Sequence, residues 1–158
     1  MADDFAILLV EDNPADVILL TEAVEEAEAP CRLTAVSNGE EAMEYLRRQG
    51  RFVDSPRPAL VLLDLNLPGR HGHEVLADIK GDARLQHIPV VVFSSSASRR
   101  DIYRSYQLHA SSHVVKPTDL HQYLMLVHSL ISYWYTVARL PRAAPTGPPL
   151  EQDEKTYH

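Results

Sequence analysis

Cysteine is nearly absent: Cys31 is the only one in 158 residues, so no disulfide can form within the chain. Long apolar runs are absent too, and none approaches the roughly 20 residues of a membrane-spanning helix. The first residues, MADDF, are acidic where a secretory signal is basic. These absences argue against secretion and against membrane contact. We expect a cytoplasmic protein in which Cys31 is buried as a small apolar side chain.

Positive charge is scarce as well. The chain has 15 Lys and Arg residues against 22 Asp and Glu residues, a formal net charge of −7. Binding to nucleic acid requires a basic face, so we expect no nucleic-acid partner. The apolar and charged fractions, 45% and 23%, are ordinary for one globular domain, which we place at 4–140. We interpret the polar, proline-rich stretch 141–158 as a disordered tail, too short for a helix-turn-helix unit.

Short apolar runs alternate with amphipathic stretches along the domain. The runs fall at 5–10, 32–36, 59–63, 89–93 and 113–115. The first is apolar throughout, as in a strand buried on both faces. After it, Asn13 can cap a helix and Pro14 suits the first helical position. Helices are predicted to follow the strands at about 13–29, 38–49, 72–80, 98–109 and 118–139.

This alternation predicts an α/β domain with a doubly wound parallel sheet of five strands and helices on both faces. The last helix is long, since the mean helix has ~11–12 residues. In such sheets the groups that bind ligands lie at the carboxyl ends of the strands, near the reversal in strand order.

Polar side chains stand at those strand ends. Glu11 and Asp12 directly follow the first strand, and Asp64 follows the third. Ser94 ends the fourth strand and Lys116 ends the fifth. Because these ends share one edge of the sheet, we expect three carboxylates, a hydroxyl and an ammonium to converge there. Each feature alone is more typical of a turn, a cap or a solvated loop. Their occurrence in order at successive strand ends favours a functional site.

Clustered carboxylates repel one another unless a cation joins them or some are protonated. Mg2+ prefers oxygen ligands, and we expect carboxylates of Asp12 and Asp64 and the backbone carbonyl of Asn66. Glu11 is expected to act on the ion directly or through water. Beside the metal, Asp64 is a candidate nucleophile that could form an acyl phosphate.

Phosphoryl transfer depends mainly on positioning and on neutralising charge. Lys116 is expected to supply a cation to the transferring oxygens. The hydroxyl of Ser94 and the backbone N–H of Ser95 are expected to donate hydrogen bonds to them.

Four segments resemble the receiver domains of two-component response regulators: LLVEDNPAD, LVLLDLNLPGRHG, IPVVVFSSS and VVKPTDL. The resemblance covers about 5–140 and implies a flavodoxin-like fold with five helices. It makes Asp64 the phosphoacceptor, Glu11, Asp12 and Asn66 the metal ligands, Ser94 the switch hydroxyl and Lys116 the family lysine. It also implies a cis peptide bond before Pro117. Such a protein is a signalling phosphoacceptor with slow self-dephosphorylation and not an enzyme.

A closer resemblance is to the stand-alone regulators paired with phytochrome-type histidine kinases. It rests on EDNPADVILLTEAVEEA, RSYQLHASSHVVKP and YWYTVARLP. It implies a phytochrome-type sensor kinase as partner, an extended last helix, and a homodimer formed by the fourth helix, fifth strand and fifth helix. Tyr133, Trp134 and Tyr135 are the candidate interface residues, since exposed aromatic clusters mark interfaces. The alternative is that these rings fold back onto their own domain.

One position departs from the family pattern. His113 stands where receivers usually carry an aromatic residue that rotates with the switch hydroxyl. Two interpretations are open, a replacement switch residue and a structural histidine at the surface.

Two other functions are alternatives for an aspartate at this position of such a sheet. Phosphohydrolases with an aspartate nucleophile commonly need a second Asp two residues later, where this chain has Asn66, which cannot transfer protons in that way. A flavodoxin-type flavin module needs a Ser/Thr/Gly-rich phosphate loop after the first strand. Glu11 and Asp12 would repel phosphate there unless a metal were present.

Overall fold

The computed structural model describes residues 5–27 and 31–141. Five parallel strands form one sheet in the order β2-β1-β3-β4-β5, which confirms the predicted doubly wound architecture. The strands are β1 (Phe5–Val10), β2 (Cys31–Val36), β3 (Leu60–Leu63), β4 (Val90–Ser94) and β5 (Ser112–Val115). The order reverses beside β1, because β2 lies on one side of it and β3 on the other.

Five α-helices connect and follow the strands, as predicted. They are α1 (Pro14–Glu26), α2 (Gly39–Leu46), α3 (Gly72–Gly81), α4 (Arg99–Gln107) and α5 (Leu120–Ser132), with a short 3-10 turn at Gly50–Phe52 and a π-helical turn at Tyr133–Val137 after α5. Helix α1 packs beside α5 on one face, and α3 packs between α2 and α4 on the other. None of these helices is long and apolar enough to cross a membrane.

The entry into α1 forms as the sequence predicts. The Asn13 side chain accepts a hydrogen bond from the Ala15 backbone N–H at 2.9 Å, which satisfies one of the free donors of the first turn. Pro14 occupies the first helical position, where its missing N–H has no cost. The chain therefore turns sharply from β1 into α1, and Glu11 and Asp12 are left at the strand end.

The sheet carries a hydrophobic core on each face because side chains alternate along its strands. Leu8 and Val10 of β1 face the α2 and α3 side, whereas Ile7 and Leu9 face the α1 and α5 side. All six residues of β1 are buried. Burial on both faces explains why this strand is apolar throughout. Cys31, expected to be buried, is half-buried against the second of these cores.

The aromatic residues after α5 differ in burial. Trp134 and Tyr135 pack against the core on the α1 and α5 side, and Tyr135 meets Phe5 edge-to-face with ring centroids 5.5 Å apart. Tyr133 is 51% exposed. The segment thus folds back onto its own domain while Tyr133 remains available at the surface. The predicted tail, apart from Pro141, lies outside the described residues, as does Asp4.

Candidate functional site

The site lies at the carboxyl edge of the sheet, beside the reversal in strand order. Val10 and Leu63, the last residues of β1 and β3, are paired in register. Glu11 and Asp64 are the next residues of each chain segment, and the Asp64 N–H donates to the Val10 carbonyl at 3.0 Å. Parallel pairing therefore places two carboxylates that are 53 positions apart in the sequence next to each other at the carboxyl edge of the sheet.

Three carboxylates meet there, as the sequence predicts. Oxygen atoms of Glu11, Asp12 and Asp64 all lie within 4.8 Å of one another. Glu11 and Asp64 are buried and Asp12 is exposed, so the cluster is closed below and open to solvent on one side. A hard cation that takes carboxylate oxygens and keeps several waters fits such a half-open site.

Lys116 is the cation that reaches the cluster. Its Nζ donates to Glu11 Oε2 at 2.6 Å and lies 3.6 Å from Asp64 Oδ2. Its side chain is only 7% exposed. The prediction of a cis bond before Pro117 is wrong for this structure, since the described residues contain no cis peptide bond. The trans form is the intrinsically preferred one, and Lys116 reaches the carboxylates with it.

For both Glu11 and Lys116, burial shifts the pKa in one direction and the hydrogen bond between the two side chains shifts it in the other. Burial raises the pKa of Glu11 to about 7, although the hydrogen bonds from Lys116 and the Asn13 N–H lower it. Burial alone would lower the pKa of Lys116, but the hydrogen bond to Glu11 and the charge of Asp64 outweigh it and raise the pKa. Lys116 is therefore charged at neutral pH, while Glu11 is poised to gain or lose a proton.

Two members of the site were missed by the sequence analysis. Asp16 accepts a hydrogen bond from Lys116 Nζ at 3.1 Å and another from the Tyr123 hydroxyl at 2.7 Å. Burial and the bond to Asp16 raise the pKa of Tyr123, which keeps the phenol protonated. Asp16 fits a helix N-terminus and Tyr123 fits an apolar stripe, so each has a sufficient local interpretation. The available signal was that Asp16 lies in the first turn of the predicted helix, four positions after Asp12.

The loop after β3 is held close to the Asp64 backbone. The Leu65 N–H donates to Asp64 Oδ1 at 2.8 Å, and the Gly72 N–H donates to the Leu65 carbonyl at 2.9 Å. A Cβ at Gly72 would lie 2.3 Å from the Asp64 carbonyl oxygen, so only glycine allows α3 to begin there. Asn66 lies exposed in this loop, two residues beyond Asp64.

Ser94 lies fully buried at the end of β4 and accepts a hydrogen bond from the Ser96 N–H at 3.2 Å. The Ser94 carbonyl accepts from the Lys116 N–H at 2.8 Å, which joins the ends of β4 and β5. Ser95 is exposed at the top of the same loop. The two strands therefore present Ser94 and Lys116 at the same edge as the carboxylates.

His113 is hydrogen-bonded through both ring nitrogens. Nδ1 lies 2.8 Å from the Ser105 hydroxyl, and Nε2 lies 3.0 Å from the Ser96 carbonyl oxygen. These partners belong to α4 and to the loop that leaves β4. The ring thus bridges two elements and is not an isolated surface histidine.

The chain belongs to the response regulator receiver domain family, whose model matches residues 7–128. Among curated relatives, the response regulator Rcp1 of Synechocystis sp. is 41% identical over 137 residues, covering 87% of this chain and 93% of Rcp1. The probable methanogenesis regulatory protein FilR2 of Methanothrix harundinacea is also 41% identical, over 90% of this chain and 91% of FilR2.

Solved structures give the same family. The phosphorylated cyanobacterial phytochrome response regulator RcpA is 44% identical, with a TM-score of 0.86 over 89% of this chain and 100% of that one. The Mn2+-bound form of Rcp1 is 40% identical, with a TM-score of 0.83 over 87% of this chain and 99% of that one. The chain is therefore a response regulator receiver domain with the flavodoxin-like topology, and phytochrome-associated regulators are among its similar relatives.

Proposed function

We propose that Asp64 accepts a phosphoryl group from a sensor histidine kinase in a Mg2+-dependent reaction. The observation that carries this proposal is the position of Asp64, buried between the other carboxylates and Lys116 Nζ, which lies 3.6 Å from its Oδ2. Asp64, the proposed nucleophile at the end of β3, thus lies next to Lys116, the cation that would neutralise the phosphoryl charge.

The proposed transfer forms a bond between a carboxylate oxygen of Asp64 and phosphorus while the bond from phosphorus to the donor nitrogen breaks. The donor imidazole regains its lone pair and takes up a proton from solvent. Asp12, Asp64, the Asn66 carbonyl and Glu11 would hold the divalent ion. That ion would supply charge neutralisation and alignment of the phosphoryl oxygens.

Lys116 and Ser94 complete the proposed site from the other side. Lys116 is already held at the cluster by Glu11 and Asp16, at 2.6 and 3.1 Å, so it need not be ordered when the phosphoryl group arrives. The Ser94 hydroxyl ends the neighbouring strand and would donate to a phosphoryl oxygen. Both groups favour the charged acyl phosphate over the free carboxylate.

Incubation with acetyl phosphate and Mg2+ tests the assignment of Asp64. Intact mass spectrometry should show one added phosphoryl group on the wild type and none on Asp64→Asn. Asp78→Asn is the control, because Asp78 in α3 pairs with Arg70 and is not a member of the carboxylate cluster, and it should remain labelled. Equal labelling of wild type and Asp64→Asn, or loss of label in Asp78→Asn alone, would remove Asp64 from the mechanism.

We also propose that the protein signals and does not turn over substrates. Asn66 stands where a phosphohydrolase of this type would place its acid–base carboxylate, so only slow loss of phosphate from Asp64 itself is expected. Steady hydrolysis of free phosphoesters, proportional to protein and absent from Asp64→Asn, would contradict this. The net charge of −7 supports a protein partner over nucleic acid or an anionic membrane. The proposed compartment is the cytoplasm, which fits a chain with a single cysteine.

A phytochrome-type histidine kinase is the proposed partner. The support is the similarity to RcpA, a phytochrome response regulator, and to Rcp1. FilR2 is as similar to this chain as Rcp1 is, at 41% identity, but it is named as a probable methanogenesis regulatory protein. The identity of the kinase must therefore be tested directly. Phosphotransfer profiling against all histidine kinases of the host should give the fastest transfer from the phytochrome-type kinase. Faster transfer from another kinase would reassign the partner.

We further propose a homodimer through α4, β5 and α5. Eight large apolar side chains of the described residues are exposed, and six of them lie on α4, α5 or the turn after α5. Those six are Tyr103, Tyr106, Leu120, Met125, Tyr133 and Val137. An apolar groove of about 510 Å³ runs along the free edge of β5, between Val114, Leu130 and Tyr133. Such a concentration of apolar surface favours a protein interface.

Sedimentation velocity tests the dimer with a pair of matched variants. Tyr133→Asp should shift the wild-type dimer toward monomer, because it places a charge in the groove. Val53→Asp is the control, since Val53 is also exposed, at 61%, but lies at the 3-10 turn near α2. A wild-type monomer, or a dimer that both variants leave intact, would contradict the proposed interface.

A further inference from the structure

A buried hydroxyl joins three elements beside the candidate site. Ser105 is the only buried residue of α4, and its side chain is fully enclosed. Its Oγ lies 2.8 Å from His113 Nδ1 in β5 and 3.0 Å from His73 Nε2 in α3. It is also 3.0 Å from the Asp101 carbonyl, one turn earlier in α4. No member of this cluster except His113 was singled out by the sequence.

The cluster is connected to the candidate phosphorylation site by the loop after β4. Ser94 Oγ accepts from the Ser96 N–H at 3.2 Å, and the Ser96 carbonyl contacts His113 Nε2 at 3.0 Å. A carbonyl only accepts, so Nε2 carries a proton and donates. A displacement of Ser96 toward Asp64 therefore pulls on the His113 ring, and a ring that follows Ser96 moves its Nδ1 away from Ser105.

The position of the His113 ring decides which acceptor receives the hydrogen bond from the Ser105 hydroxyl. A serine hydroxyl has one proton, and the Asp101 carbonyl can only accept it. With a proton on Nε2 and none on Nδ1, the His113 ring accepts through Nδ1, which competes with the carbonyl for the same proton. When the His113 ring moves and its Nδ1 is out of reach, the Ser105 hydroxyl rotates and donates to the Asp101 carbonyl instead. The lone pairs that Ser105 presents to His73 turn with it.

His73 is suited to report this change. Burial lowers the pKa of His73, and the nearby charge of His71 lowers it further, so its ring is neutral at pH 7 and has a single donor nitrogen. Because the Ser105 proton goes either to His113 Nδ1 or to the Asp101 carbonyl, the His73 Nε2–H donates to the Ser105 oxygen in both cases. The geometry of that bond follows the orientation of the hydroxyl. The ring stands on the first turn of α3, which begins directly after the loop that contains Asp64 and Asn66.

We propose that Ser105 is a positioning residue that couples the Asp64 site to the α3–α4 surface through His113 and His73. The inference rests on the proposed function, because it assumes that phosphorylation of Asp64 recruits Ser94 and moves the Ser96 loop. It differs from rotation of an aromatic side chain, since here the signal is carried by exchange of hydrogen bonds at a fixed hydroxyl.

Nuclear magnetic resonance of the histidine ring nitrogens tests the coupling. Acetyl phosphate and Mg2+ are added to wild type and to Ser105→Ala, and intact mass spectrometry gives the extent of phosphorylation of each sample. In the wild type the ring signals of both His113 and His73 should shift on phosphorylation. In Ser105→Ala the His113 shift should persist while the His73 shift is lost, because the only described link between the two rings has been removed.

Ser98→Ala is the matched control. The Ser98 hydroxyl caps the same helix by accepting from the Asp101 N–H at 3.0 Å, but it touches neither ring. Both histidines should respond in this variant as in the wild type. If Ser105→Ala does not fold, His113→Phe removes both ring nitrogens and should equally abolish the His73 response.

The outcomes separate the two proposals. A wild type that gains no phosphoryl group contradicts the proposed function. A phosphorylated wild type whose His113 signals do not move overturns the coupling alone. A His73 shift that survives in Ser105→Ala at equal phosphorylation, or in His113→Phe, also overturns it and leaves the role of Asp64 intact.

Discussion

Helices α4 and α5 flank the same short strand, yet they are anchored by different forces. Helix α5 buries Tyr123, Val127 and Ile131 against the sheet. Helix α4 buries only Ser105, a hydroxyl. Apolar burial contributes about 1.5–3 kcal/mol for each large side chain, whereas a typical hydrogen bond contributes only about 0.5–1.5 kcal/mol net.

The contrast indicates which of the two helices is free to respond. Helix α5 belongs to the fixed frame and carries Tyr123, whose hydroxyl holds Asp16 at the candidate site. Helix α4 is held through polar contacts, and these can be exchanged at low cost when their partners move. The candidate phosphorylation site is thus bordered by α5, which is rigidly anchored, and by α4, which can be repositioned.

The largest expected effect is on stability and compares one isoleucine from each helix. Ile131→Ala in α5 should lower the free energy of unfolding by about 2–5 kcal/mol because it opens a cavity in a fully buried position. Ile102→Ala in α4 should lower it by less than half as much, since Ile102 is half exposed. Urea denaturation of the metal-free protein measures both. Equal losses would mean that α4 is anchored as firmly as α5.

The second effect is the pH dependence of Mg2+ affinity, which depends on Glu11 in the carboxylate cluster. Glu11, with its pKa near 7, is protonated at lower pH, and the proton competes with Mg2+. Affinity for Mg2+ should therefore rise with pH, by up to about tenfold between about pH 6 and 8, since one group must lose one proton. Isothermal titration calorimetry measures it.

Two variants sharpen this pH prediction. Glu11→Gln should abolish the dependence, because no titrating group remains at that position. Ser105→Ala should leave the dependence intact, because the cluster around α4 contains no carboxylate ligand of the site. A slope that is unchanged in Glu11→Gln would assign the competing proton to another group.

The smallest expected effect compares two tyrosine hydroxyls. Tyr123→Phe removes the 2.7 Å bond to Asp16 and should cost about 1 kcal/mol of stability, the usual worth of a partly buried hydrogen bond. Tyr106→Phe in α4 removes an acceptor for the His113 N–H at 3.2 Å, on a side chain that is half exposed. Its cost should be smaller. A reversed order in thermal unfolding would contradict the ranking of the two helices.

What the sequence predicted well was local or periodic. The buried β1 and the cap at Asn13 followed from residue type and spacing, and the parallel order of strands placed Glu11 and Asp64 at one edge. The Asp16–Tyr123 bond joins residues 107 positions apart, and nothing in either segment indicates the other. Ser105 was missed for a different reason, because a serine in a helix is ordinarily interpreted as a surface residue. The cis bond before Pro117 was inferred from family resemblance, and the structure has the trans form.

The most direct test of the account is to locate a divalent ion in crystals of this protein soaked in Mn2+, using its anomalous scattering. Mn2+ takes the same oxygen ligands as Mg2+. We expect one strong peak in contact with carboxylates of Asp12 and Asp64 and with the Asn66 carbonyl, lost in Asp64→Asn. A peak elsewhere, with none among these carboxylates, would contradict it.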